Sequence, residues 1–397
     1  MIYKAMKQLA TLALLATAAL AQTPAAKTFD MYFLDMEGGH STLYITPTGQ
    51  TILIDTGSAG DRDHNRILAA LKDAGVKELD YLVSTHYHGD HIGGFEALLK
   101  DIPVKHFIDH GTSIEMDRPV VAAFQKLYDE TTANKRTIVK PGDKIPFGGV
   151  NTLVVTSHSK VLKTPLPGAG KPNAACATFE PRDESRIDPD NPNSVGLLFT
   201  YGKFRTINLG DFTWNVEKDL MCPNNPIGTV DLYLTSHHGI DQSGSAALVH
   251  GLRPRVAIMH NGQRKGGVAQ TYNTLYTSPG LEDLWQIHWA FSGGSEYNAP
   301  GRFIANVEEP AALANSILNP PAAQAFGRGR GAGAPPAAPP TPGAAPGSAA
   351  PAAPARGGGR GPGHDGPAFW IKVSAKADGS FTVTNSRNQF TKSYAAK

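Results

Sequence analysis

Residues 85–94 read THYHGDHIGG and are the most informative stretch of this chain. Within six positions the stretch offers three imidazoles, from His86, His88 and His91, and one carboxylate, from Asp90. Neutral imidazole and carboxylate oxygen together form the ligand set that divalent ions such as zinc prefer in proteins. Glycines within the stretch let the backbone turn tightly, so that the ligands can converge. The stretch therefore predicts a metal site.

The surrounding sequence predicts the secondary structure that carries this site. Residues 81–84 predict a buried strand that ends at the histidines, and residues 92–100 predict a helix directly after them. A strand, a loop and a helix in this order bring the side chains of the loop to the carboxyl edge of a sheet. A second helix is predicted over residues 63–74, and further strands are predicted over residues 29–34, 41–46, 51–55, 152–156, 195–201, 205–209, 232–235 and 256–259. The first three of these strands predict an antiparallel meander.

The N-terminal residues 1–21 have the pattern of a secretory signal peptide. Lys4 and Lys7 precede an apolar run over residues 9–20, and residues 19–21 read ALA, a small-residue cleavage pattern. The run is shorter than the ~20 apolar residues that a membrane-spanning helix needs, and no later run reaches that length. The mature chain is therefore predicted to be exported, either periplasmic or extracellular, with no transmembrane segment. An uncleaved anchor is the alternative.

The rest of the chain divides by composition. One catalytic domain is predicted over residues 28–310. Residues 320–367 consist largely of Pro, Ala, Gly and Arg, a composition that cannot bury a core and predicts a disordered linker. Residues 368–397 predict a C-terminal β-hairpin, with strands at 369–373 and 381–385, either as an edge of the main sheet or as a small appendix.

Two cysteines lie in loop-like sequence. Cys176 falls in a segment over residues 160–193 that is too long for an ordinary connection, and Cys222 follows later. In an exported protein a disulfide between them is allowed, but two unpaired thiols are equally compatible with the sequence.

The motif His-x-His-x-Asp-His after a hydrophobic strand resembles the signature of the metallo-β-lactamase superfamily. Further segments follow the order seen in its ComEC-like branch, the DNA-internalisation competence proteins. They are residues 33–40 (FLDMEGGH), 54–57 (IDTG), 193–195 (NSV), 209–211 (LGD) and 236–239 (SHHG). The resemblance covers about residues 28–300. It implies an α+β fold, a four-layer αββα sandwich, and a metal-dependent hydrolase.

The resemblance also implies a set of metal ligands: His86, His88, Asp90, His91, Asp211, His237 and His238. His86 and His88 would bind one ion, Asp90 and His91 a second, and Asp211 would bridge both. One of His237 and His238 would complete the second position, and the sequence does not choose between them. The candidate catalytic residues are Asp90, Asp211 and Asp55, of which Asp55 is expected to orient a ligating histidine. One or two Zn²⁺ ions are the expected cofactor, with Mn²⁺ or iron as alternatives.

The chain also departs from the family pattern. Where the third histidine of the first metal position usually stands, residues 191–194 read NPNS, and His158 is a candidate substitute. Residues 38–40 read GGH instead of the branch's Gly-Gln-Gly-Asp, and its late His-Pro-His is absent, so a nuclease is not favoured. His260 is left open between a functional and a structural role, as are Arg264 and Lys265 between binding an anionic substrate and forming a solvated turn. The histidines interpreted as structural are His40, His64, His110 and His288.

The reaction class expected from these features is hydrolysis. A metal ion lowers the pKa of bound water from about 15.7 to ~7 and so supplies hydroxide near neutral pH. The expected substrate is a small molecule or a phosphoester. Of the formal net charge of +2, the predicted signal contributes +2 and residues 320–366 contribute +3, so the remainder carries −3. A mildly acidic body does not favour nucleic acid as a partner, though it does not exclude it. The alternatives are a hydrolase of lactones, β-lactams or other carboxylic esters and amides, an iron-dependent oxidoreductase, and a non-catalytic metal-binding protein.

Overall fold

A computed structural model describes residues 27–185, 188–307, 366 and 368–397. The predicted signal peptide lies outside these residues, as does the predicted linker apart from residue 366. Among the helices of the described residues, none has the length and apolar character needed to cross a bilayer.

The first sheet contains nine strands: β1 (Phe29–Phe33), β2 (Thr42–Ile45), β3 (Thr51–Ile54), β4 (Leu79–Val83), β5 (Val104–Asp109), β6 (Arg136–Ile138), β18 (Ile371–Ala375), β19 (Phe381–Asn385) and β20 (Thr391–Tyr394). Their order across the sheet is β20-β19-β18-β1-β2-β3-β4-β5-β6. Strands β1, β2 and β3 pair antiparallel, which is the predicted meander, and β3 to β6 continue in parallel.

The second sheet also contains nine strands: β7 (Lys144–Ile145), β8 (Asn151–Ser157), β9 (Lys160–Val161), β11 (Gly196–Tyr201), β12 (Phe204–Asn208), β14 (Leu232–Leu234), β15 (Val256–Met259), β16 (Asp283–His288) and β17 (Ile304–Asn306). The order is β17-β16-β15-β14-β12-β11-β8-β7, with β9 paired to β8. Strands β12 and β14 to β17 run parallel. A separate ribbon joins β10 (Lys171–Pro172) to β13 (Asn224–Asn225).

Helices cover the outer face of each sheet. They are α1 (Asp61–Asp73), α2 (Gly89–Ile92), α3 (Phe95–Asp101), α4 (Pro119–Thr132), α5 (Trp214–Met221), α6 (Ala246–Leu252) and α7 (Ala269–Tyr276). One apolar cluster, which includes Phe29, Phe199 and Trp285, fills the space between the sheets. One further apolar cluster lies between the first sheet and its helices, and another lies between the second sheet and its helices. The predicted α+β fold, a four-layer αββα sandwich, is confirmed.

The helix predicted over residues 92–100 is divided in the structure. α2 ends at Ile92 and α3 begins at Phe95, with Gly93 and Gly94 between them. A Cβ atom on Gly93 would lie 2.2 Å from the carbonyl oxygen of Gly89 and 2.3 Å from the amide nitrogen of Ala59. Because only glycine permits this approach, the metal-ligand loop packs directly against residues 58–59.

The C-terminal residues form part of the first sheet. Where the sequence predicted two strands, the structure has three, and β18 pairs with β1 from Phe29↔Ala375 to Phe33↔Ile371. The chain enters this segment beside β17: Asn306 Nδ2 donates to the Phe369 carbonyl oxygen at 2.8 Å, and the Phe369 amide donates back to Asn306 Oδ1 at 2.8 Å. The hairpin is therefore an edge of the main sheet and not a separate appendix.

Cys176 and Cys222 form a disulfide that joins the long segment over residues 160–193 to the end of α5. Of the two alternatives that the sequence left open, the disulfide is therefore the one present. The segment carries β9, β10 and a 3₁₀ helix at Ala174–Thr178, and Arg182 lies over the ring of Trp214 at the start of α5. The segment is therefore attached along its length to the second sheet's helical layer.

Replacing both cysteines with serine is expected to lower the free energy of unfolding. The bond closes a loop of 46 residues, and the chain-entropy model gives about 4 kcal/mol for a loop of that size. Urea unfolding of the oxidised wild type and of the double variant measures the difference. A reductant should lower the midpoint of the wild type and leave that of the variant unchanged; equal midpoints for the two proteins would contradict the prediction.

Candidate metal centre

The site lies where neighbouring strands of both sheets end. His86 and His88 follow β4, Asp55 follows β3, and three further groups follow strands of the second sheet: Asp211 after β12, His237 and His238 after β14, and His260 after β15. The carboxyl ends of parallel strands share one edge of a sheet, which is where such folds bind ligands. The topology thus brings together side chains that are far apart in sequence.

Four groups form the second metal position: Asp90, His91, Asp211 and His238. One ligand atom from each lies within 4.8 Å of all the others. Asp211 Oδ2 is 3.2 Å from His91 Nε2 and 3.3 Å from His238 Nε2, and the two nitrogens are 3.4 Å apart. Bonds of about 2.0–2.1 Å to a tetrahedral zinc ion place its ligands about 3.3–3.4 Å from one another. The spacing of these groups therefore fits such an ion.

The hydrogen bonds of His91 leave a lone pair facing this position. His91 Nδ1 lies 2.7 Å from Asp55 Oδ2 and donates its proton there, so Nε2 is the free nitrogen, and it points at the carboxylate of Asp211. Burial lowers the pKa of His91, but the charges of Asp211, Asp55 and Asp90 outweigh it and raise the pKa to about 10. Nε2 thus strongly favours a cation, which can be a proton or a metal ion.

His86 and His88 face each other at the first metal position. His86 Nε2 lies 3.0 Å from His88 Nδ1. The other nitrogen of each ring has an acceptor: His88 Nε2 is 3.0 Å from Glu115 Oε2, and His86 Nδ1 is 3.2 Å from Thr85 Oγ1. When each neutral ring carries its proton on the outer nitrogen, the two inner nitrogens present lone pairs to each other. A metal ion satisfies both.

Asp55 contacts protein groups around the ligands. Its carboxylate accepts from the amide and hydroxyl of Thr85, at 2.7 and 2.6 Å, and from His91 Nδ1. His40 Nδ1 also lies 2.9 Å from Asp55 Oδ2. Burial raises the pKa of Asp55, yet the neighbouring histidines outweigh it and hold the pKa below its usual range. This geometry suits the predicted role of Asp55, which is to orient His91.

His237 and His238 both point at Asp211. Each Nε2 lies 3.3 Å from Asp211 Oδ2, and only that of His238 is also near Asp90, at 3.4 Å. His238 therefore belongs with the second position. Asp211 Oδ2 lies close to three histidine nitrogens in all, from His91, His237 and His238, as a bridging carboxylate would.

Several other histidines lie outside the ligand set. His158 is exposed, and its ring is 6.1 Å from that of His110, so the structure does not bring it to the ligands. His64 and His110 lie 2.7 and 3.4 Å from Asp101 and Asp190. His288 lies 3.4 Å from a carboxylate oxygen of Glu37.

Three groups next to the ligands were not assigned to the site from the sequence, although Lys265 was left open as a contact for an anionic substrate. Glu115 contacts His88, and Lys265 Nζ contacts Asp90 Oδ2. His40, which was interpreted as structural, stacks on His91 with ring centroids 5.5 Å apart. Glu115 had no sequence signal, whereas His40 ends the family-like segment at residues 33–40 and Lys265 lies among glycines. His260 takes a structural part, with Nε2 held 2.8 Å from the Leu34 carbonyl oxygen.

The solvent exposure of the side chains at the site differs from group to group. The side chain of His91 is 0 % exposed, whereas His88 and Asp90 are 12 and 15 % exposed and Lys265 is 25 % exposed. Lys265 is held there by close backbone packing, since a Cβ atom on Gly38 would lie 2.6 Å from the Cβ of Lys265. Lys265 is thus the most exposed of these four side chains.

Comparisons with known proteins agree with this geometry. The family model of the metallo-β-lactamase superfamily matches residues 35–221. The chain is 27 % identical over 239 residues to Recombination protein 2 of Haemophilus influenzae, a match that covers 59 % of this chain and 24 % of that protein. It is 28 % identical over 94 residues to the Beta-lactamase-like protein 2 homolog of Caenorhabditis elegans, covering 19 % of this chain and 32 % of that protein. The chain thus spans about a quarter to a third of these relatives.

Solved structures with a similar chain path include the metallo-β-lactamase fold protein YhfI from Bacillus subtilis, with 13 % identity and a TM-score of 0.39, covering 71 % of this chain and 97 % of that one. A diphosphatase of the PhnP family has 13 % identity and a TM-score of 0.35, covering 64 % of this chain and 94 % of that one. The matched family model, the two helix-covered sheets and the Asp/His ligands at their strand ends agree: residues 35–221 match the metallo-β-lactamase superfamily, and the described residues have its fold.

Proposed function

We propose that this protein is an exported zinc-dependent hydrolase of phosphoesters. The observation that carries the proposal is the position of Lys265, whose partly exposed ammonium group lies against Asp90 of the ligand cluster. A cation beside the metal position attracts an anionic substrate electrostatically.

The chemistry of the site divides between the metal and the chain. When bound, a divalent ion lowers the pKa of water to about 7 and polarises the bond to be cut. The chain's own carboxylates, Asp90 and Asp211, are placed to accept hydrogen bonds from the attacking water and so orient it. Lys265 would hold a phosphoryl oxygen by a charge-assisted hydrogen bond. Asp55 keeps the ring of His91 in register through Nδ1.

Export is supported by two features. The N-terminal residues have a basic start, a short apolar run and a small-residue cleavage pattern. The disulfide Cys176–Cys222 is of a kind that persists in oxidising compartments. N-terminal sequencing of protein recovered from outside the cytoplasm is expected to begin near Gln22; an intact Met1 in that fraction would contradict cleavage.

Lys265→Met is expected to raise the KM for bis(p-nitrophenyl) phosphate by about 10- to 100-fold, the cost of one hydrogen bond to a charged group. The KM for the neutral ester p-nitrophenyl acetate should stay within about twofold. Arg264→Met is the matched control, because the Arg264 guanidinium lies over the ring of Phe291, 5.9 Å from its centre, and not against Asp90. It should change neither KM.

The same assay separates the alternatives. Faster turnover of a lactone, a β-lactam or p-nitrophenyl acetate than of the phosphodiester would favour a carboxylic ester or amide hydrolase. Equal losses on charged and neutral substrates in Lys265→Met would contradict the role given to the lysine. No turnover of any substrate by zinc-loaded protein would contradict the hydrolase itself.

A further inference from the structure

A cavity of about 380 Å³ lies at the edge of the second sheet opposite the metal ligands. Its walls include residues at the starts of parallel strands: Arg205 in β12, Asp231 directly before β14 and Arg255 directly before β15. These strands run parallel, so they begin at one edge of the sheet and end at the other. The metal ligands of this sheet follow the strand ends. The cavity is therefore separate from the metal centre.

The C-terminal strands close the cavity on its other side. Gly379, in the turn between β18 and β19, and Lys397, after β20, both line it. The turn is packed against the second sheet, because the amide of Lys203 donates to the Ala377 carbonyl oxygen at 2.9 Å. A Cβ atom on Gly202 would collide with the same oxygen, so the two segments are in direct backbone contact. Residues of both sheets thus form the cavity.

The lining of the cavity is strongly basic. Against the single carboxylate side chain of Asp231, the cationic side chains that line the cavity are those of Lys203, Arg205, Arg253, Arg255 and Lys397. Two of these cations have acidic partners, since Arg255 Nε and Lys397 Nζ lie 2.7 and 3.3 Å from Glu282 Oε1. Asp231 Oδ1 also lies 3.5 Å from Arg255 Nη1. The other three cations form no ion pair with any residue that the structure describes.

Arg205 is a partly buried cation that neutral groups hold in place. Its Nη1 donates to the Thr229 carbonyl oxygen at 2.6 Å, and its Nη2 donates to the Ile227 carbonyl oxygen at 2.9 Å. Burial lowers the pKa of Arg205, and the charge of Asp231 opposes this effect. Charges withdrawn from water are normally paired in proteins. The guanidinium group therefore gains from an anion in the cavity beside it.

Arg253 occupies a backbone position that does not favour arginine. It caps the C-terminus of α6 with a φ of 48°, in the left-handed region where glycine is the usual residue. Its side chain is exposed, and within the described part of the chain it forms no hydrogen bond or ion pair. The backbone does not explain an arginine here, whereas its place in the lining of the cavity does.

We propose that this cavity binds a small anion that carries phosphate groups. The fork of N–H donors on a guanidinium group matches the oxygens of phosphate, and a lysine ammonium group adds a point charge. Arg205, Arg253 and Lys203 supply these groups, and none of them is neutralised by an ion pair with a described residue. The volume of about 380 Å³ falls within the range of roughly 300–1,000 Å³ that is typical of small-molecule sites.

The test is isothermal titration calorimetry of the metal-free protein with sodium pyrophosphate at low ionic strength. Metal is removed because zinc bound at the ligand cluster would itself bind the probe. The wild-type protein is expected to bind one pyrophosphate per chain, with a Kd that rises with salt. Arg205→Met should raise the Kd by about 10- to 100-fold, the cost of hydrogen bonds to a charged group. The double variant Lys203→Met/Arg253→Met should raise it by about tenfold.

The matched control is the double variant Lys100→Met/Lys126→Met. It removes two cations whose side chains are 71 and 78 % exposed on α3 and α4, beside the first sheet. Its Kd for pyrophosphate should stay within about twofold of that of the wild type, since these lysines do not line the cavity.

Several outcomes would overturn the proposal. They are the absence of pyrophosphate binding by the wild type, and an unchanged Kd in both Arg205→Met and Lys203→Met/Arg253→Met. Tighter binding of citrate than of pyrophosphate would exclude phosphate as the preferred group, and binding of an oligodeoxynucleotide without binding of pyrophosphate would exclude a small anion. If Arg205→Met does not fold, the double variant decides, because both of its side chains are exposed. The measurement needs neither metal nor turnover, so it is independent of the proposed hydrolase activity.

Discussion

Asp211→Ala is expected to lose both zinc ions and to lower kcat/KM by about 10³-fold or more, which corresponds to the several kcal/mol that a metal ion supplies to a hydrolytic transition state. The reason is the position of a single oxygen. Asp211 Oδ2 lies within 3.2–3.3 Å of nitrogens from His91, His237 and His238 and is buried with them. Removing this carboxylate takes away the negative charge that would hold two zinc ions, or the three histidines alone, close to one another.

Two comparison variants sharpen this prediction. Asp211→Asn keeps the shape but not the charge, so it should retain more zinc than Asp211→Ala while still depressing turnover. Asp55→Ala should cost about 10- to 100-fold in metal affinity or activity, the usual range for a group that orients a ligand. Zinc content and turnover, measured side by side for the three variants, rank the size of their effects. Greater zinc loss in Asp55→Ala than in Asp211→Ala would reverse the roles assigned to the two carboxylates.

His88→Ala is expected to remove the ion of the first position and most of the activity, by about 10²-fold or more. His88 Nδ1 faces His86 Nε2 at 3.0 Å, so the loss of His88 removes one of the few ligands of that position. The side chain is 12 % exposed at the start of α2, and its removal opens no large cavity, so the fold should persist.

Glu115→Gln is the matched variant for His88. It retains the size of the side chain that contacts His88 Nε2 at 3.0 Å but removes its charge. A loss of about 10- to 100-fold in zinc affinity is expected, smaller than that of His88→Ala. Unchanged zinc content in His88→Ala would exclude the histidine as a ligand.

The core of the site could be predicted from the sequence because its information is local. His86, His88, Asp90 and His91 lie in one loop between a strand and a helix, so spacing alone indicated their convergence. Asp211 and the His237/His238 pair followed from the resemblance, and the structure brings all of them together. These assignments stay predictions until metal binding is measured.

The surrounding groups could not be predicted because they reach the site across long separations. Glu115 lies 27 positions from His88, Asn191 lies 46 from His237, and Lys265 lies 175 from Asp90. No periodicity in the sequence relates such pairs. They come together only because the strand ends pack against each other in the folded chain. The candidate substitute His158 lies outside the ligand set for a local reason. It follows a strand, but its backbone turns left-handed at φ 51° and its side chain is exposed.

Strand prediction succeeded where apolar residues run continuously or alternate, and failed at the edge of the sheet. β3 and β15 consist of buried residues throughout and were anticipated. β20, with the sequence TKSY, pairs only with β19 and buries only Tyr394 fully. An edge strand needs one neighbour and little apolar surface, so its sequence carries a weak signal.

The pair of hydrogen bonds between Asn306 and Phe369 has a consequence for the evolution and engineering of this chain. They join two residues 63 positions apart, so the polypeptide leaves the sandwich and returns to it at the same point. Because the two ends are fixed to each other, we expect β17 and β18 to keep their places when the residues between them are shortened, lengthened or exchanged for another module. If the intervening segment behaves as its composition predicts, replacing it with a linker of about eight residues reduces the entropy of closing the loop by about 2 kcal/mol. The segment between residues 306 and 369 is thus a suitable site for inserting a reporter or a second catalytic domain.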